Sequence, residues 1–470
     1  MVLSQTFGVL TQSVSISTTG FVGNPAITPP TYDVDPFSIR SADMMPDIIA
    51  PNFDSSSYAS QWQAALNDLS ASSPNGEITH VQMRIYWDLQ DNLIMPQLHS
   101  TDQEGSQWGG QWYIMNEGTW KRWYFGEGSL PYGPCAAKRI HDAGFRMELA
   151  IAGAWEGDPV KPGGTQAPIG AWGAREADYP VWIAAGGGDQ FLTNYMNNVI
   201  RPTAYFLATN PNFIDGDIFC ISFEMNYPTA DFTWNHNAKW TEIITETRNI
   251  FRAAGKHIII TSDVCGPYDD FGVGYNAVKL LNPSAPISTT YQGISGASYL
   301  AELDCIRLSW WLPLILQTEM SSTWTDADIP RLTEAWFSNN NFNKVGTGYN
   351  AVPAVKGRDM IADLRAIAQV FGKPVYMNTG WENRHGFIYT SPRRTSGSTP
   401  DLAEARVAWA AQLAAIGDPR SNFTWWCAGQ DFERYCENKA TSPSTIDTSW
   451  RNAPAQSAII QGIRDILGIS

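Results

Sequence analysis

Eight short apolar runs rich in β-branched and aromatic residues, most of them separated from the next by a stretch of helical periodicity, most narrow what this chain can fold into. The runs are 37–43 (FSIRSAD), 78–87 (ITHVQMRIYW), 146–153 (RMELAIAG), 217–225, 257–263, 304–311, 373–379 and 423–428. Between them lie amphipathic stretches at 57–70, 134–143, 189–208, 239–254, 357–371 and 402–416, and a last one at 455–467 closes the series. Strand-helix alternation of this kind implies βαβ units and a parallel sheet. Gly144, Gly255 and Gly372 each stand between a helical stretch and the next strand, where a left-handed helix terminus is cheap only for glycine. Open doubly wound sheets usually end at about five or six parallel strands, so eight favour a closed α/β architecture, the (β/α)8 or TIM barrel.

The barrel is expected over residues 37–470. Residues 1–36, rich in Ser, Thr, Gly and Pro and ending in Ile27-Thr28-Pro29-Pro30-Thr31, read as an N-terminal arm outside it. The long insertions 88–131, 154–188 and 312–356 all follow strands, at the barrel end where enzymes of this architecture build their sites.

Composition excludes several function classes. With 31 Lys+Arg against 46 Asp+Glu the formal net charge is −15, which repels nucleic-acid phosphate, so no nucleic-acid partner is expected. No apolar run reaches the roughly 18–20 residues that cross a bilayer, and the first twenty residues have neither the basic region nor the compact apolar stretch of a secretory signal. The six cysteines are scattered, without the C-x2-C spacing of zinc sites, and most of them read as buried thiols made in a reducing cytoplasm. The six histidines show no ligand spacing and the Asp269-Asp270 turn lacks the EF-loop pattern, so no metal site is expected. No Gly-x-Gly-x-x-Gly or Walker A sequence follows the first strand and no Gly-x-Ser-x-Gly elbow occurs, so no cofactor is expected and an α/β-hydrolase is disfavoured.

Glu224, in Ser222-Phe223-Glu224-Met225-Asn226, ends the fourth run and is the first catalytic candidate. A carboxylate among aromatics is held protonated by desolvation, as a general acid near neutrality requires; the structural alternative is a loop cap or a partner for Arg84. Glu382, after the seventh run, is the second candidate, its alternative being an exposed loop residue near Arg384. Asp263, ending the fifth run, is the third, its favoured alternative being a helix cap or turn former ahead of Cys265-Gly266-Pro267. Arg84 is read as holding a carboxylate ionised or as one half of a structural ion pair. Trp87, Trp155, Trp310, Trp381 and Trp425, with Asn226, fall at strand ends or in the loops after them. Flat aromatic faces suit the apolar C–H faces of sugar rings, so the expected ligand is a carbohydrate; about half of the tryptophans at these positions serve packing instead.

The eight-fold alternation, the Glu ending the fourth strand, the Gly372-Lys373-Pro374-Val375 opening of the seventh and the Trp425-Trp426 pair in the eighth together resemble the clan A glycoside hydrolases, notably the family 113 mannanase-like barrels and related phage-borne barrels. The resemblance implies an acid/base Glu on strand four, which maps onto Glu224, and a nucleophile Glu on strand seven. That second position holds Thr379 in this sequence, with Glu382 three residues later, and Phe223 stands where many members carry Asn. Two functions follow as expectations. One is a glycoside hydrolase acting on a polysaccharide or oligosaccharide. The other is a glycan-binding or structural barrel without hydrolysis, such as a phage tail or virion protein released by lysis, with the 1–36 arm pairing subunits.

Overall fold

A computed structural model of the chain describes residues 39–43, 56–90, 95–98, 103–106, 111–114, 117–153, 188–223, 236–265, 299–309, 327, 371–379 and 423–425. Each of the eight expected strands is present: β1 (Arg40–Asp43), β2 (His80–Gln90), β6 (Arg146–Gly153), β7 (Ile218–Phe223), β8 (Ile259–Cys265), β9 (Cys305–Ser309), β10 (Val375–Thr379) and β11 (Phe423–Trp425). Three short strands, β3 (Met95–Leu98), β4 (Gln103–Ser106) and β5 (Gln111–Ile114), lie inside the 88–131 insertion. The eight pair in parallel in the order β1–β2–β6–β7–β8–β9–β10–β11, and β1 pairs with β11 as well as with β2, so the curled ladder returns on itself. Beyond the ladder β2 runs on and pairs antiparallel with β3, while β4 and β5 form a separate hairpin.

The described helices are α1 (Ser56–Ser72), α2 (Glu117–Phe125), α3 (Ala136–Asp142), α4 (Gly188–Tyr195), a π-helical segment Met196–Ile200, α5 (Arg201–Thr209) and α6 (Asn237–Ala253). The last, α6, shows why the sequence forms them. Trp240, Ile243, Ile244, Thr247, Ile250 and Phe251 recur at helical spacing and all are buried, so one stripe packs on the sheet while the charged residues stay outside. From the sheet, Phe219 of β7 lies edge-on to Phe251 of that stripe, ring centroids 5.9 Å apart, and is fully buried. Gly144, Gly255 and Gly372 have φ of +92°, +73° and +61°. After the first two, the N–H groups of Phe145 and Lys256 bond back to Ile140 and Phe251, the closure that a left-handed glycine permits. The 1–36 arm, residues 154–187 of the 154–188 insertion, most of 312–356 and the expected helices at 402–416 and 455–467 lie outside the described residues, as does 357–370.

Alternation along the strands sends every second side chain to the concave side. Ile218 of β7, Ile259 of β8 and Cys305 of β9 form one buried apolar cluster with Ile39, the residue before β1. At the strands' N-terminal rim, two carboxylates tie neighbouring strands together. Asp217 accepts from the backbone N–H of Met147 at 2.9 Å and lies 3.0 Å from His141 Nε2. Asp304 accepts from the N–H of Ile260 at 2.7 Å and pairs with Arg248 at 2.9 Å; burial raises its pKa, with the Arg248 charge acting the other way. Cys135, Cys220 and Cys305 are buried and unbridged. No helix among the described residues is long and apolar enough to cross a membrane.

Lys373 reaches this rim in the approach to β10. It is 1% exposed, and its ammonium has no hydrogen-bond partner among the described residues. Burial brings its pKa from 10.5 down to about 8, with Asp304 pulling the other way. Between those two pH values the unfolded chain binds more protons than the folded one, so this lysine makes stability rise with pH across that window. A Lys373→Met variant is expected to be more stable than the parent at pH 7, by up to about 3 kcal/mol. The gap should close as the pH approaches 10.5, as read from urea midpoints at each pH. A gap that is constant with pH would mean that the ammonium is not what the site penalises.

Candidate active site

In a parallel ladder all strands run the same way, so their C-terminal ends share one rim. At that rim β7 stops at Phe223, the residue before Glu224, and β10 stops at Thr379, three residues before Glu382. Thr379 stands in register with Trp425 of β11. On β2, Arg84 is in register with Ala150 and Trp87 with Gly153 of β6. Glu224, Asn226, Trp155, Trp310, Trp381 and Glu382 lie outside the described residues.

Asp263 is described in full, and its surroundings are neither those of a turn former nor those of an open cleft. It sits within β8 in register with Arg307 of β9. Arg307 Nε lies 3.0 Å from Asp263 Oδ2, and Arg307 Nη1 lies 2.5 Å from Glu148 Oε1, with all three side chains fully enclosed. Strands β6 and β9 are not neighbours, since β7 and β8 stand between them; the Glu148–Arg307 contact therefore crosses the concave interior. A guanidinium shared by two carboxylates in an enclosed space offsets part of the large desolvation penalty of each charge. Cys220 lies in the same charged neighbourhood, and burial pushes its thiol up to about 12 despite the nearby Arg307, so it is a neutral packing group and not a nucleophile.

Glu148 and Arg307 were not among the residues the sequence pattern singled out. The available signal was a charge at the centre of an otherwise apolar run, RMELAIAG and DCIRLSWW. Strands covered on both faces are expected to be almost continuously apolar, so a central charge announces an interior partner. Which partner cannot be read locally, because Glu148 and Arg307 are 159 residues apart. The structure adds one irregularity next to Glu224: the β6–β7 register jumps from Ala150–Cys220 to Ala152–Phe223, a β-bulge at Ile221 and Ser222. Among the described residues, no cluster of three or more His, Cys, Asp or Glu side chains is placed to hold a metal ion.

The sequence matches no protein-family model and no curated protein. Solved structures similar to this chain include a family 113 β-mannanase of Alicyclobacillus acidocaldarius, 12% identical over 92% of this chain and 97% of that one, with a TM-score of 0.46. A family 5 glycoside hydrolase of Prevotella bryantii is 12% identical over 92% and 96% of the two chains, TM-score 0.44. An endoglucanase of Thermotoga maritima is 13% identical over 92% and 100%, TM-score 0.38. The parallel ladder itself, and not these likenesses, establishes the α/β architecture. Neither the fold nor the similar structures support the phage-tail or virion expectation.

Proposed function

We propose that the chain is a complete (β/α)8 barrel of the clan A glycoside hydrolase type, and that it hydrolyses a polysaccharide or oligosaccharide. The observation that carries this reading is the position of Glu224, the residue that follows the last one of β7 in a ladder of eight parallel strands that returns on itself. Strand ends at that rim are where barrel enzymes place reacting groups. Glu224 protonates the glycosidic oxygen as the bond breaks; in the retaining case it then takes a proton from the attacking water, and in the inverting case the second carboxylate takes that proton. Glu382 is the second carboxylate. Asp263 ranks behind it because Arg307 already occupies its carboxylate inside the barrel. Arg84 and Asn226 orient the ring at the scissile bond, while Trp87, Trp155, Trp310, Trp381 and Trp425 supply stacking faces along the cleft.

The distance between Glu224 and its partner sets the stereochemical outcome. About 5–5.5 Å means direct attack and retention, and about 6.5–9.5 Å leaves room for a water and means inversion. Two observations favour a second reading, a barrel that binds glycan without cleaving it: Thr379 ends β10 where the clan pattern has its nucleophile, and Asp263 is neutralised by Arg307. A panel of soluble β-mannan, xyloglucan, lichenan and carboxymethyl-cellulose, assayed for new reducing ends with the full chain, separates the two. Release from one member, with the anomer of the first product read by NMR, supports hydrolysis and fixes the outcome. Retardation of the protein in a polysaccharide gel with no release supports binding alone.

A further inference from the structure

The ladder closes where β1 joins β2, and at the strands' N-terminal rim that seam is tied down by a short relay of hydrogen bonds. The backbone N–H of Arg40 donates to Thr79 Oγ1 at 2.8 Å, and the N–H of Thr79 donates back to the Arg40 carbonyl at 2.8 Å. Thr79 Oγ1 in turn lies 2.8 Å from His80 Nδ1. On the other side of the ring, His80 Nε2 lies 3.2 Å from the carbonyl of Gly216, in the turn ahead of β7. Strand β6 stands between β2 and β7, so the imidazole carries the seam across to a strand that is not its neighbour. The ring is 4% exposed. Its partners fix the tautomer. A carbonyl can only accept, so Nε2 holds the hydrogen; Nδ1 is then an acceptor, and the Thr79 hydroxyl donates to it.

We propose that His80 is an acid-released latch on the closing strand: its neutral ring joins β1 and β2 to the turn ahead of β7, and when acid protonates Nδ1 the relay breaks and the N-terminal end of β1 opens. The new N–H points at Thr79 Oγ1, so the hydroxyl has to turn its own hydrogen away. The acceptor it then meets is the Arg40 carbonyl at 3.2 Å, which the Thr79 N–H already occupies. The charge gained also has to stay in an enclosed place. Glu148 of β6 and Asp217, the residue before β7, favour the added proton, and Arg146 at the start of β6 opposes it. Burial is the largest influence and outweighs them, so the pKa of His80 lies below the usual 6.5. Asp217 is engaged elsewhere as well, by the N–H groups of Met147 and Ile214 and by His141 of α3. On the seam side, the Arg40 guanidinium donates to the carbonyls of Gly76 and Glu77, and the Glu77 carboxylate accepts from the N–H of Asn75. Above pH 6.5 the histidine is neutral whether the strand is closed or open, and the latch holds. Below 6.5 the opened strand takes up the proton first, so each further pH unit favours opening by up to about tenfold until the pKa of the closed state is reached.

The test is amide hydrogen exchange of the full chain from about pH 7.5 to about pH 4.5, read by mass spectrometry on peptides from β1 and the start of β2, with β8 as the reference. After correction for the intrinsic pH dependence of exchange, the opening equilibrium of the β1–β2 peptides is expected to grow up to about tenfold per pH unit below 6.5 while that of β8 stays level. His80→Gln keeps a neutral N–H toward Gly216 and takes up no proton, so it is expected to abolish that growth. Equal growth in the parent and in His80→Gln would assign it to another group, such as Asp217 or Glu148. Growth shared by β8 would be global acid unfolding. Either result, or no growth at all, overturns the proposal. If His80→Gln does not fold, the imidazole nitrogens of the parent, labelled with nitrogen-15 at its six histidines, are followed by NMR instead. One ring is expected to keep the Nε2–H tautomer to a midpoint below 6.5 and to change over the same span in which β1 opens. Six rings that all titrate at 6.5 or above would overturn the latch as well.

Discussion

Exchanging Glu224 for Gln is expected to lower kcat on the cleaved polysaccharide by about a hundredfold to ten-thousandfold, the range that a positioned general acid contributes, with little change in polysaccharide binding or melting temperature. The amide has nearly the same shape as the carboxyl, so contacts to the sugar persist and the loss falls on the chemical step. The departing sugar oxygen is a poor leaving group without its proton. An aryl glycoside with an electron-withdrawing ring needs no such help, so the bond-breaking step of Glu224→Gln should recover most of its rate on that substrate. Parallel assays on polysaccharide and nitrophenyl glycoside read this directly. Equal losses on both would assign Glu224 to substrate binding and not to proton transfer.

Replacing Arg307 by Met is expected to destabilise the protein by about 3–5 kcal/mol, the cost of leaving buried charges uncompensated. In the parent, the guanidinium lies 2.5 Å from Glu148 and 3.0 Å from Asp263, with no solvent at any of the three side chains. Met fills much of the same volume and keeps the apolar contacts, but both carboxylates then face each other in an interior whose effective dielectric is low. The urea midpoint should fall accordingly. A triple variant, Glu148→Leu with Arg307→Met and Asp263→Leu, is the informative control. If the charges and not the packing are responsible, it should regain much of the lost stability, because a buried ion network replaced by apolar groups of similar volume is often neutral or stabilising. A single variant that unfolds at the parent's midpoint would show that Arg307 adds nothing to stability.

These expectations rest on different layers of information. All eight strands lie where the alternation of apolar runs places them, within a few residues, because strand periodicity and helix periodicity are local properties. The turn glycines are equally local: Gly144, Gly255 and Gly372 take positive φ where a helix hands over to a strand. The 88–131 insertion was less legible. It reads as a loop, yet β3 extends the sheet from β2 and β4 pairs with β5. Four-residue strands such as Gln103–Ser106 carry too little periodic pattern to be recognised alone. The candidate site divides in the same way. Glu224 was visible as a carboxylate directly after an apolar run, whereas Glu148 and Arg307 look like stray charges in apolar strands until the two are found 2.5 Å apart.

The sequence by itself determined the kind and order of the eight strands of the ladder, their common direction and the strands, β7 and β10, that Glu224 and Glu382 follow, since each depends on the pattern of a few neighbouring residues. Only the tertiary structure decided how the ladder returns on itself, with β1 between β2 and β11. It alone sets Asp263 on Arg307, and Arg307 on Glu148, and places a bulge one residue before Phe223. Those features join residues far apart in the chain, and their energies come from burial, charge pairing and register, which exist only once the strands have met.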